Sequence, residues 1–186
     1  MGLFPSFETE RLYLRRFGLN DAEAVVDLLQ EPDVALNVLN IPYPYTRQNA
    51  EEFITRSQEN AANETEIVFA IVNRATNQVM GSAGIFLFPR HRRGGLGYWI
   101  GKQFWGQGYV TEAVGRLIHF GFEDRHLHCI FAECFPHNIG SARVMEKNGM
   151  KLDGTLREHF FHDLRQQYMD VHHYSLLRQE YDQLPK

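Results

Sequence analysis

Cysteine is scarce in this chain of 186 residues, where Cys129 and Cys134 are the only two. They lie five positions apart in a strand-like run, so their side chains point to opposite faces. That excludes a local bridge between them and predicts buried thiols in a reducing compartment. The nine histidines include no His-x-x-x-His helical pair and no Cys/His cluster, so no metal site is expected. Long apolar runs are missing as well, which leaves nothing able to span a bilayer as a helix. The first residues, with Glu8, Glu10 and Arg11, lack the apolar core of a signal peptide, and a cytoplasmic location is expected. Excess positive charge is also absent: a formal net charge of −4 gives no general attraction for nucleic acid or an acidic membrane surface. The basic run Arg90-His91-Arg92-Arg93 reads as a solvated hairpin turn. Internal repeats and low-complexity segments do not occur.

What is present suits one globular domain over residues 1–186, with 44% hydrophobic and 13% aromatic residues to build its core. Arg11 to Phe17 alternates apolar and charged residues, as a half-buried strand does. Asn20 with Glu23 predicts a capping box, followed by an apolar stripe of Ala24, Val25, Leu28 and Leu29 that stops before Pro32. A loop carrying Pro42 and Pro44 spans Asn37 to Tyr45, and Thr46 is placed to cap a second helix that buries Ala50, Phe53, Ile54 and Ser57. Strands are expected over Ile67 to Asn73, Val79 to Phe88 and Leu96 to Gly101, the first two as an antiparallel hairpin. A helix from Val110 to Gly121, a strand from Cys129 to Phe135 and a short helix from Asn138 to the ending pair Asn148-Gly149 come next. Strands near Met150 to Leu156 and Tyr168 to Leu177 close the order, which makes an α/β or α+β sheet of mixed direction.

The segment Gln103 to Ala113 joins a strand to a helix through Gly106 and Gly108. Without Cβ atoms, successive backbone N–H groups can converge there on an anion, and the helix that follows adds the positive end of its dipole. A three-glycine dinucleotide turn early in a parallel βαβ unit is not present, and no Gly-Lys-Ser or Gly-Lys-Thr follows the glycines as in a P-loop.

Gln103-x-x-Gly106-x-Gly108, the fuller run Trp105-Gly106-Gln107-Gly108-Tyr109-Val110-Thr111-Glu112-Ala113, and Asn138-x-x-Ser141-Ala142-Arg143-Val144-Met145-Glu146-Lys147-Asn148-Gly149-Met150 together resemble the GCN5-related N-acetyltransferases, and within them the subgroup that acetylates ribosomal protein N-termini. The second segment ends Gly-Met where Gly-Phe is usual. Gly154-Thr155-Leu156-Arg157-Glu158 and Asp170 to Glu180 resemble the subgroup's closing strands, so the likeness covers nearly the whole chain. It implies the acyl-CoA N-acyltransferase fold, a mixed sheet of about seven strands flanked by about four helices.

The resemblance also implies transfer of an acetyl group from acetyl-CoA to an amine in a direct ternary complex. The amine must lose a proton, the carbonyl oxygen needs donors as charge develops, and the departing thiolate needs a proton. By the family pattern, Trp99, Ile100 and Gly101 hold the pantetheine arm through their backbone. Gln103, Gly106, Gln107 and Gly108, with Tyr109, Val110 and Thr111 of the following helix, hold the pyrophosphate. Asn138 matches the family asparagine of the pantetheine region, and read plainly it is also a helix N-cap. Ser141 resembles the serine proposed to protonate the leaving thiolate. Glu158 is the expected base acting through water, Glu133 is its rival, and Glu112 is expected to stabilise the first turn of its helix. Tyr43 and Tyr45 are expected at the acceptor groove by family analogy. The acceptor implied is a protein N-terminus. A small amine such as a polyamine, amino acid or antibiotic is the alternative enzyme substrate, and a non-catalytic CoA-binding module is the alternative class. Relatives of this kind are often dimers, so a homodimer is possible.

Overall fold

The computed structural model describes residues 4–39 and 41–185. They form one sheet with the order β1-β2-β3-β4-β5-β6-β8-β7. The strands are β1 (Phe7–Glu8), β2 (Leu12–Arg15), β3 (Glu66–Asn73), β4 (Val79–Phe88), β5 (Arg93–Ile100), β6 (Cys129–Cys134), β7 (Lys151–His162) and β8 (Gln167–Leu177). The helices are α1 (Ala22–Leu29), α2 (Pro32–Ala35), α3 (Arg47–Ala62), α4 (Tyr109–His119), α5 (Ile139–Lys147) and α6 (Arg178–Tyr181). Every neighbouring pair is antiparallel except β5 and β6, which are parallel and are connected through α4. The mixed sheet agrees with expectation. The eighth strand is the two-residue β1, too short to leave a period in the sequence.

Alternation along the strands builds two cores, one on each sheet face. Ile67, Phe69 and Ile71 pack with Ala113, Val114 and Leu117 of α4 and with Met145 of α5. Val68, Ala70 and Val72 face the other way, against Val25 and Leu29 of α1 and Ala50 and Ile54 of α3. On β6 the residues of the α4 face are Ile130, Ala132 and Cys134. The two free cysteines are both buried.

Several boundaries differ from the sequence reading for local reasons. The Asn20–Glu23 box does not form; the carboxylate of Asp21 instead accepts from the Gly18 N–H at 2.8 Å and from both terminal nitrogens of Arg15 at 2.7 and 2.9 Å. A 3-10 turn over Leu19–Asp21 therefore precedes α1. Pro32 stops α1 as expected but also opens α2, as proline does at a first helical position. Thr46 caps α3 through Asn49, as predicted. β5 begins at Arg93, ahead of the expected Leu96, because Arg93 pairs with Phe88 across the hairpin. The turn is not simply solvated: Arg92 donates to the His126 carbonyl at 2.7 and 3.1 Å, and the Arg93 guanidinium lies 4.8 Å from the Phe131 ring centre. β7 runs to His162, well past Leu156, carried by its ladder with β8. Among the described residues, no helix is long and apolar enough to cross a membrane.

Glu112 ties the start of the chain to α4. Its carboxylate accepts from Thr9 Oγ1 at 2.6 Å, from the Arg11 N–H at 2.8 Å and from Arg11 Nε at 2.7 Å. Burial opposes its charge, but these bonds together outweigh burial and hold the carboxyl below the usual carboxylate range. A depressed folded value means that the stabilisation is complete above the unfolded carboxylate pKa near ~4.3 and is lost as pH falls through the folded value. We predict that Glu112→Gln loses about 2 kcal/mol of stability at pH 7 in urea unfolding. The gap from the parent protein should close below about pH 4; a gap that is constant with pH would assign the loss to packing instead of charge.

Candidate active site

Strands β5 and β6 keep their parallel register only from Arg93↔Cys129 to Leu96↔Ala132. Beyond that point β5 continues to Ile100 on its pairing with β4, while β6 continues to Cys134 on its pairing with β8. The two strands part. The β5 edge from Gly97 to Ile100 therefore faces a gap instead of a neighbour. A cleft of about 1460 Å³ fills that gap. This exceeds the roughly 1,000 Å³ upper range of ordinary small-molecule pockets and leaves room for two substrates at once.

At one end the cleft is lined by Gly106, Gly108, Tyr109, Val110 and Thr111. Gly106 and Gly108 have φ of +73° and +81°, left-handed values that glycine adopts without steric cost. Gly108 is the N-cap of α4 and offers no side-chain acceptor, so the first N–H groups of the helix keep their donors for a ligand. A Cβ at Gly106 would meet no atom within 4 Å, so the turn is open on that side. Bare N–H groups, a helix dipole and an open turn fit a pyrophosphate, and the uncovered β5 edge fits an extended amide-bearing arm. Trp99 and Ile100 line the cleft beside that edge.

Gly101, Gln103 and Gln107 do not line the cleft. They shape the turn from within: the Gly101 carbonyl accepts from the Phe104 N–H at 2.9 Å and Gln107 Nε2 donates to the Gln103 carbonyl at 3.1 Å, while Trp105 Nε1 donates to the Ile100 carbonyl at 2.9 Å. Arg11, which the sequence reading left unassigned, holds the turn from outside by donating to the Gln107 carbonyl at 2.9 Å. The two motif segments are joined directly, since Asn148 Nδ2 donates to the Thr111 carbonyl at 3.2 Å and to the Val144 carbonyl at 2.8 Å.

On the α4 face of the parting strands stand Asn138 and Ser141. Asn138 caps α5 by accepting from the Ser141 N–H at 3.0 Å, and its Nδ2 donates to the Asn37 carbonyl at 3.2 Å. Ser141 Oγ lies 2.8 Å from the Tyr98 hydroxyl. Cys134 lies on the same face, and burial pushes its thiol up to about 11, which makes it a poor nucleophile.

Glu133 projects from the opposite face of β6 and lines the cleft. His173 of β8, its register partner, holds it through Nδ1···Oε1 at 2.9 Å, and the His173 ring stacks on Phe131 at 5.3 Å. Glu158 is not brought to this place. It sits within the register shift between Leu156 and Phe160 of the edge strand β7, with φ of +49°, and its N–H donates to Asp170 Oδ1 at 2.8 Å. The bulge leaves it exposed. The alternation of β6 was the available signal favouring Glu133, whereas a bulge on β7 left no periodic trace. Tyr98 and His173 were missed because their roles depend on pairings across the sheet. No group of three or more His, Cys, Asp or Glu among the described residues is arranged to hold a metal ion.

Comparison with known proteins agrees with this geometry. Residues 11–151 match the family profile of the acetyltransferase (GNAT) domain. The uncharacterized N-acetyltransferase p20 of Bacillus licheniformis is 29% identical over 174 residues, covering 93% of this chain and 96% of that protein. The crystal structure of an acetyltransferase (GNAT family) from Bacillus anthracis superposes with a TM-score of 0.82 at 25% identity, covering 94% of this chain and 99% of that one. A shorter match, 31% identical over 87 residues, covers 47% of this chain and 48% of the ribosomal-protein-serine acetyltransferase of Escherichia coli (strain K12).

The open space at Gly106 makes a clean test of the turn. Gly106→Asp should fold, at a backbone cost of about 1–2 kcal/mol for an L-residue in the left-handed region. It should also weaken coenzyme A binding at least about tenfold by setting a carboxylate against the pyrophosphate. Unchanged affinity in calorimetry, with the fold intact by circular dichroism, would remove the turn from the binding site.

Proposed function

We infer the acceptor from the premise that the chain belongs to the GNAT acetyltransferase family and is an acetyl-CoA-dependent N-acetyltransferase. The acceptor proposed is the α-amine of a protein N-terminus. The observation that carries this reading is the bare strip of sheet on the face of α1 and α3. There Gly84 and Gly97, which line the cleft, lie opposite each other in a row that leads to the parting of the strands beside Glu133. Phe86 and Phe88 flank the strip, 43% and 45% exposed. An extended chain can lie along such a strip and present its first amine to Glu133, whereas a small amine has no use for its length. The partial match to a ribosomal-protein-serine acetyltransferase supports a ribosomal protein as the first acceptor to try.

The bound thioester supplies an activated acetyl group; the residues of this chain do the rest. The first N–H groups of α4, with Gly106 and Gly108, hold the pyrophosphate, and the free β5 edge aligns the arm and offers N–H donors to the carbonyl oxygen. An α-amine with a pKa near ~8 has a substantial neutral fraction at neutral pH, so its base has a light task. Glu133, held by His173, takes that proton directly or through one water. Ser141, on the other face, donates to the departing sulfur. Base and donor thus stand on opposite faces of the sheet, with the gap between β5 and β6 as the place where the two substrates meet.

Coenzyme A thiol release measured against N-terminal ribosomal peptides, polyamines and free amino acids tests the acceptor. Peptides are expected to turn over fastest; inert peptides beside an active small amine would refute the N-terminal reading. In the same assay Glu133→Gln should lower kcat by about 100-fold, with the KM for acetyl-CoA nearly unchanged. Glu158→Gln should leave turnover at the parent level, and the reverse pattern would restore Glu158 as the base.

A further inference from the structure

Ser141 can donate to a sulfur only if its hydroxyl proton is not already engaged elsewhere, and what fixes that proton is Tyr98. The Tyr98 hydroxyl lies 2.8 Å from Ser141 Oγ and 3.2 Å from the Ser141 carbonyl oxygen. It has one proton for two acceptors, and the shorter contact is to Oγ. When Tyr98 donates there, the serine's own proton is displaced from that direction and turns toward the cleft. Both partners are fixed in place. Tyr98 stands opposite Ala83 in the β4–β5 ladder, and α5 is held by its Asn138 cap at one end and by Asn148 at the other.

We propose that Tyr98 is a positioning residue for the acetyl transfer, donating to Ser141 Oγ so that the serine proton faces the sulfur of the leaving group. The inference rests on the reading of Ser141 as donor to that sulfur. Tyr98 is not the proton source. Although the residue lines the cleft and is only half-buried by area, burial of its phenol pushes the pKa up. It therefore stays protonated through the reaction. As the C–S bond breaks, its electron pair goes to sulfur and is stabilised by the Ser141 O–H, while Tyr98 keeps its own proton. The amine proton leaves by way of Glu133. The thiolate of the departing thiol, with an ordinary pKa near ~8.5, takes its proton from water.

Four proteins decide the matter: the parent, Tyr98→Phe, Ser141→Ala and the double variant. Tyr98→Phe is expected to lower kcat about tenfold, the worth of one well-placed hydrogen bond, with the KM for acetyl-CoA and the melting temperature nearly unchanged. On the Ser141→Ala background the same change should cost nothing further, because both act through one hydroxyl. Additive losses, or parent-level turnover in Tyr98→Phe, would overturn the inference while leaving Ser141 in place. Parent-level turnover in Ser141→Ala would instead overturn the reading beneath it. A ring-fluorinated tyrosine at position 98 supplies a readout that packing cannot move: a more acidic phenol is a stronger donor and should raise kcat. Turnover indifferent to fluorine would overturn the proposal by assigning Tyr98 to packing.

Discussion

The candidate active site depends on β5 and β6 ceasing to pair after Leu96 and Ala132. A parallel pair is ordinarily buried on both faces. Here each strand continues only because another neighbour supports it, β4 for β5 and β8 for β6. The parting therefore costs no unfolded strand. It exposes a short row of backbone donors and acceptors in the middle of the sheet, which needs a partner with matching groups. The turn at Gly106 and Gly108 lies at the end of that row. In the proposed binding mode, extended arm and anion share one continuous piece of main chain running from Gly97 into the first turn of α4.

The gap also divides the chemistry between two faces. Side chains of successive β6 residues point to opposite sides, so Glu133 and Cys134, adjacent in sequence, are separated by the thickness of the sheet. Cys134 joins the face of Ser141 and Tyr98, where its thiol is buried and kept protonated. Glu133 joins the face of His173, Phe131 and the bare glycine strip. A base and a sulfur donor on one face would compete for the same space and the same protons. In the proposed mechanism, placing them across the gap gives each its own approach, one for the amine and one for the thioester.

The sequence made the main-chain part of this site legible, and the reason is physical. Left-handed glycines, helix caps and helix-ending pairs leave residue types that few other constraints would demand, so Gly106, Gly108, Asn138 and Gly149 are readable as turn and cap positions. The alternating and 3.6-residue periods likewise placed β3, β4, α4 and α5 within a few residues. What escaped was everything set by register. A tyrosine in a strand carries no mark that its hydroxyl will reach a serine 43 positions later. A carboxylate on an edge strand carries no mark of a bulge that turns it to solvent, which is why Glu158 was read as a base and Glu133 as its rival. The clamp of Arg11, Thr9 and Glu112 was hidden for the same reason, although the expected helix-terminal place of Glu112 was sound.

Asn138 shows how closely the donor site and the segment that covers it are joined. Its carbonyl oxygen caps α5 and its amide nitrogen holds the Asn37 carbonyl, so both ends of the side chain are engaged within the protein. A ligand that takes a hydrogen bond from this residue must replace one of the two. Breaking the cap would leave the Ser141 N–H unpaired and loosen the helix that carries the Ser141 hydroxyl. The bond to Asn37 is longer, 3.2 Å against 3.0 Å, and lies outside α5, so it yields at lower cost. His162 Nε2 still lies 3.3 Å from the neighbouring Leu36 carbonyl. The segment after α2 is therefore tied at two points, to Asn138 of the α5 cap and to His162 of β7, and an exchange of the first leaves the second in place.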